Sequence, residues 1–114
     1  MMTKYLISFP SFAMVVTEED LPTVSAESHA VIQEAKDAGV YVFGGGINEE
    51  VAPVLVTHDG TVSDKLYAQA QVPNGGYCVL ELPSREAAVE WAAKLATACR
   101  CAQEVREFGY DPES

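Results

Sequence analysis

Asp64 and Tyr67 are the residues of this chain whose types and spacing best suit chemistry. They follow Asp59-Gly60, a pair that reads as a two-residue hairpin turn between β-rich runs, because such a turn needs positive φ and Asp and Gly tolerate it. A two-residue turn there sets position 64 opposite Leu55, on the same side as Val62 and Leu66. A carboxylate among apolar neighbours holds its proton more tightly and can serve as a general acid or base. The alternative is that Asp64 accepts backbone N–H bonds and shapes the loop after the hairpin. Tyr67 offers a hydroxyl to assist, or simply a ring to pack. His29 falls to one side of an apolar helical face; its imidazole suits proton transfer, or it is a partly exposed side chain without a role. Tyr41, Phe43 and Tyr77, with Tyr67, are candidates to line a ligand pocket free of titratable catalysts. His58 reads as a turn residue, Arg106 as a partner for Glu81 or Glu104, and Trp91 as core.

Metal and cofactor chemistry gain nothing from the spacing. Cys78, Cys99 and Cys101 form no CxxC, the close pair makes poor chelate geometry, and no histidine cluster adds ligands. Free thiols in a reducing, cytoplasmic setting are expected, with no metal and no cofactor. Gly44-Gly45-Gly46 lacks the GxGxxG spacing of a dinucleotide loop and instead suggests a bulge or a close backbone approach. The net charge is −10, from 7 Lys+Arg against 17 Asp+Glu, and that field repels nucleic acid and anionic membranes. No apolar run nears the roughly 20 residues of a membrane helix. The opening MMTKYLISFPSFAMVV resembles a secretory signal only superficially, since Ser8, Pro10 and Ser11 break its apolar run and Glu18, Glu19 and Asp20 follow.

The elements that must position these residues can be read from periodicity. With 114 residues and a 48% hydrophobic share, the chain makes one domain spanning 1–114. Thr3 to Phe9 reads as a strand stopped by Pro10, and residues 10–22 as a loop whose apolar patch, Phe12 to Val16, lines a pocket or covers a sheet edge. Residues 25–38 read as a helix capped by Ser25, with Val31, Ile32, Ala35 and Ala38 on its apolar face and Gly39 as its stop. Val40 to Phe43 is the next strand. After the hairpin, 76–82 is the most apolar strand and should be central. Ser84 caps a second helix to residue 98, with Ala88, Trp91, Ala92 and Leu95 on one face. Residues 101–108 alternate as a last strand. The order is β-α-β-hairpin-β-α-β, an α+β fold of ferredoxin-like βαββαβ type with an inserted β-hairpin. Helices cover one sheet face. The apolar residues on the other predict a homodimer that packs sheet on sheet.

From Val54 onward the chain resembles the YCII-related family, in its DGPF branch. The pieces are the turn Asp59-Gly60, the tetrad position Asp64-Lys65-Leu66-Tyr67, Gly75-Gly76-Tyr77, Glu86-Ala87 with Glu90-Trp91-Ala92, and Glu104-Val105-Arg106-Glu107. KYLISF and AGVYVFGGGI fit as well, so the resemblance spans nearly the whole chain; order and spacing carry it more than any single motif. It implies a dimeric α/β-barrel type of fold. Departures matter: Lys65 and Leu66 replace the tetrad's Gly and Pro, and Gln69, Gln71 and Val72 replace charges in the segment after it. Ser28 stands where the founding branch carries a helix histidine, with His29 beside it, and LATACRC has no counterpart of that branch's Asp-Pro. Two functions follow as expectations. One is a cofactor-free enzyme moving protons on lactone-like substrates in a cleft between sheet and helices, with Asp64 as acid or base and His29 or Tyr67 assisting. The other is a non-catalytic dimeric module that binds a small ligand or a protein.

Overall fold

The computed structural model describes residues 2–68 and 73–114. The segment 69–72, whose Gln69, Gln71 and Val72 the resemblance sets against charged positions, lies outside the described residues. The fold is mixed α+β: one four-stranded antiparallel sheet and two helices, with a small separate hairpin. The sheet strands are β1 (Thr3–Phe9), β2 (Tyr41–Gly46), β5 (Gly76–Leu82) and β6 (Glu104–Glu107), in the order β2-β5-β1-β6. β3 (Leu55–Val56) and β4 (Val62–Ser63) pair only with each other. Helices α1 (Leu21–Asp37) and α2 (Arg85–Cys99) connect β1 to β2 and β5 to β6. Because β1 and β2 each pair antiparallel to β5, they run parallel with β5 between them; β5 and β6 flank β1 in the same way. Two β-α-β units are therefore interleaved.

Alternation along the central strands builds the core. Tyr5 and Ile7 of β1 and Cys78, Leu80 and Leu82 of β5 point to the helix side and are buried. They meet Ala35 of α1 and Ala88, Ala92 and Leu95 of α2. Three of these four helix contacts are alanines, which let the helices approach the sheet closely at no side-chain entropy cost. Trp91, expected in the core, is only partly buried against it, and Lys94 lies over its ring at 4.9 Å from the centroid. Lys94 also bonds Glu34 at 3.1 Å and ties the two helices together.

Both helices end as the sequence implies, but α1 begins four residues before the expected start. Asp20 is its N-cap and Pro22 sits in its first turn. A proline there sacrifices no internal hydrogen bond and has φ preset for a helix, so the acidic stretch before it becomes the helix entry, and Ser25 lies inside. At the other end Gly39 takes φ +74°, its N–H bonds Lys36 O, and Val40 N–H bonds Ala35 O, a Schellman closure. Ser84 caps α2 by accepting from Ala87 N–H at 3.1 Å. β2 runs on through all three glycines, with the irregularity between Tyr41 and Phe43. β6 is confined to four residues.

The hairpin corrects the expected register. Leu55 faces Ser63 and Val56 faces Val62, while Thr57 N–H bonds Thr61 O, leaving His58-Asp59-Gly60 as a three-residue loop with Gly60 at φ +89°. A loop one residue longer than expected shifts the pairing by one, and a one-residue shift turns each side chain to the other face. Ser63, not Asp64, is opposite Leu55.

Candidate functional site

The strands leave an unfilled volume at one end of the sheet, on its helix side. β1 ends there at Phe9, β2 at Gly46, and β5 begins there at Gly76. Gly44 pairs with Cys78 and Gly46 with Gly76, so the floor consists of glycines where larger side chains would project toward the helices. The space is partly taken by two aromatic rings. A Cβ at Gly76 would lie 2.7 Å from Cε1 of Phe9, and one at Gly44 would lie 2.9 Å from the Tyr41 hydroxyl. Above the floor stand Ser28, His29, Ile32 and Lys36 of α1, and Leu95 and Cys99 from the last turns of α2. The result is an open cavity of about 600 Å³.

The loop structure at its mouth follows from Gly75. That residue has φ +80°, and any side chain there would run into the backbone of Phe9, Pro10 and Ser11. Only glycine fits, and the close approach lets Asn74 Oδ1 accept from Ser11 N–H at 2.9 Å while Gly75 O accepts from Ile47 N–H. Ser11 in turn donates its hydroxyl to Glu49 at 3.1 Å. Met14 of the following segment lines the cavity, whereas Phe12 is 80% exposed and borders a groove on the opposite sheet face.

Burial sets the chemistry of the inner groups. The Cys78 thiol is pushed up to about 11 by desolvation, with Cys99 adding to the shift. Cys99 is raised by burial and then by Cys101, and the Tyr41 hydroxyl by burial and then by Cys78. These groups stay protonated at neutral pH, in the form that can donate a hydrogen bond and is not the nucleophile. Lys36 lies over the Tyr41 ring, its Nζ 5.2 Å from the centroid. Among the described residues, no Asp or Glu lines the cavity, and no three His, Cys, Asp or Glu side chains are grouped to hold a metal ion.

The structure brings His29 and Tyr41 to this cavity; Tyr77 borders it, but alternates with Cys78 along β5 and also lines the groove on the opposite sheet face. The remaining sequence candidates stand elsewhere. Phe43 pairs with Val79 on the opposite sheet face and is 65% exposed. Asp64 is exposed just past β4, and Tyr67 is 75% exposed; neither lines this cavity or the groove on the opposite sheet face. Arg106 pairs with Glu104 at 3.3 Å, and Glu81 with Lys4 at 3.1 Å. Lys36, Phe9 and Cys78 were not singled out for the site. Lys36 had a signal: it follows Ile32 by four residues and Ser28 by eight, one stripe of a helix. Phe9 had none, because its position depends on the pairing of β1 with Gly76.

The chain matches no family model and no curated protein.

Proposed function

We propose that this chain is a small-molecule-binding domain whose ligand sits between α1 and the glycine-floored end of the sheet. The carrying observation is the cavity itself: about 600 Å³, largely apolar, with a few convergent hydrogen-bonding groups. That size and lining suit small-ligand sites. Gly46 provides the test. A Cβ there meets only Gly75 O at an ordinary 3.5 Å, so the backbone admits a side chain at this position and Gly46→Val is the substitution to fill the floor. Uncharged two-ring aromatic fragments should shift the NMR signals of Phe9, Ile32 and Leu95 in the wild type and not in Gly46→Val. Shifts that survive the substitution would place the ligand elsewhere.

Proton transfer is the second reading, favoured by His29 and Tyr41, which line the same cavity. The exposed setting of Asp64 removes the apolar surroundings that would poise its carboxylate. Lactone turnover abolished by His29→Gln and indifferent to Asp64→Asn would carry the reading to an enzyme; turnover sensitive to Asp64→Asn alone would restore that residue's role.

The finer fold reading is ferredoxin-like. Its support is the strand order β2-β5-β1-β6 with two split β-α-β units and the β3–β4 hairpin inserted. Membership of the YCII-related family rests on the order and spacing of the sequence motifs. A homodimer formed sheet on sheet is supported by Leu6, Val79 and the exposed Phe43 on the face away from the helices. Sedimentation tests it: a monomer whose mass does not change with concentration defeats it. No helix among the described residues is long and apolar enough to cross a membrane.

A further inference from the structure

The acidic residues of this chain avoid the cavity. Seventeen Asp and Glu give it a net charge of −10, yet none lines the cavity among the described residues. The charged residue that does is Lys36. Of seven cations, Lys4, Lys94, Arg100 and Arg106 each hold a carboxylate within 4.0 Å. No carboxylate lies that close to Lys36 among the described residues, and its ammonium rests instead over the Tyr41 ring. In a chain so rich in acid, a cation left to an aromatic face at the edge of a cavity is available to a ligand.

Position along the cavity sorts the chemistry. Lys36 is exposed, so the cavity's charge lies at its solvent edge, where His29 is exposed as well. Inside are Ile7, Cys78 and Leu95, all buried, with Phe9 and Ile32 partly so. The inner polar groups, Tyr41 and the Cys78 and Cys99 thiols, are all held protonated by burial. An ionised group deep inside would lose its hydration without a charged partner, whereas one at the edge keeps both water and Lys36.

We infer that the cavity takes a small amphipathic monoanion, a carboxylate on an apolar or aromatic body, with the carboxylate at Lys36 and the body over Gly44, Gly46 and Gly76. This rests on the ligand-site reading above. The body charge of the protein opposes approach of any anion, so preference for one is evidence of the local arrangement. Glu49, which accepts from Ser11 at the mouth, adds to that opposition.

The test uses three probes of one shape: 2-naphthoate, 2-naphthamide and 2-naphthylmethylammonium, titrated into the full chain by NMR. The naphthoate should bind about fivefold tighter than the amide, the gain of one partly exposed charge pair, and the ammonium more weakly than either. Lys36→Met keeps the stem over Tyr41 and should remove the naphthoate's advantage while leaving the amide unchanged. Gly46→Val should weaken all three. A flat or reversed charge order, with Gly46→Val still blocking, overturns the anion class and leaves the site standing. An advantage that persists in Lys36→Met overturns it too. If no probe of any charge responds to Gly46→Val, the site reading falls with it.

Discussion

The ring of Phe9 occupies the space that a side chain at position 76 would need: a Cβ on Gly76 would stand 2.7 Å from Phe9 Cε1 and 2.9 Å from Cζ. The two residues are cross-strand partners in the β1–β5 ladder, and the ring is one wall of the cavity. Gly76→Ala must therefore displace an aromatic side chain, not backbone. Overpacking of that kind costs about 1–3 kcal/mol. The urea midpoint should fall with its slope unchanged, and naphthamide binding should weaken as the ring moves. Gly46→Ala is the control, for its Cβ meets only an ordinary contact, and its stability should stay within about 0.5 kcal/mol of the wild type. Equal midpoints for the two variants would mean the ring moves away freely.

Arg100 joins the end of α2 to the start of α1. It is the single non-glycine residue with positive φ among the described residues, at +59°, and its guanidinium lies 3.6 Å from Asp20 and 4.0 Å from Glu27. The left-handed conformation costs an L-residue about 1 kcal/mol, and glycine almost nothing. Arg100→Gly should therefore be about 1 kcal/mol more stable than Arg100→Ala, since both lose the same ion pairs. The wild type should exceed Arg100→Ala by no more than about 1 kcal/mol, and by less at high salt. Chemical denaturation at two ionic strengths measures both differences, and indistinguishable Gly and Ala variants would refute the backbone argument.

Asp59 gives the hairpin an acid limit. The Thr57 hydroxyl and then the Thr61 N–H, which bonds Asp59 Oδ1 at 3.0 Å, lower its carboxyl from 3.8 to about 2. A folded value below the unfolded one means the contribution is complete above about pH 4 and is lost as pH falls through about 2. Contacts between Leu55 and Ser63 should persist at pH 4 and fade near pH 2, followed by NMR. In Asp59→Ala they should be weak at every pH. Loss centred near pH 4 would show that the bonds do not hold the carboxylate.

The order of elements was legible because it rests on local signals. Alternation in TKYLISF, the cap at Ser84 and the stop at Gly39 all act within a few residues, and each appears where expected. The site was legible only in part. His29 and Tyr41 reach the cavity, but what shapes it is cross-strand: Phe9 over Gly76, Gly44 beside Cys78, Gly75 against the backbone of Phe9 and Pro10. Phe9 and Gly76 are 67 positions apart in the chain and Gly44 and Cys78 are 34 apart, separations that no local period reports. Asp64 shows the opposite failure. Its expected apolar setting hung on the turn length at Asp59-Gly60, and a single extra loop residue moved Ser63 into the place opposite Leu55.

The inner thiols report on the cavity from inside. Desolvation raises Cys78 from 9.0 to about 11 and raises Cys101, at the outer end of the group, with a Gln103 hydrogen bond pulling the other way. Alkylation requires the thiolate and access to it. Iodoacetamide at pH 8 should therefore modify Cys101 first and Cys78 last, read by mass spectrometry of the digested protein. The same shift predicts alkaline instability. A thiol whose folded value lies above its unfolded one stabilises the fold fully below about pH 9, and that contribution is lost as pH rises toward about 11. Tyrosines and lysines titrate in the same range, so the comparison that isolates the thiol is Cys78→Ala. The fall in urea stability between pH 8.5 and 11 should be shallower in Cys78→Ala than in the wild type, even though the variant starts lower for its lost packing. Parallel slopes, or early alkylation of Cys78 in the folded chain, would mean that water reaches the floor of the cavity freely, and an apolar ligand body would gain little by displacing it.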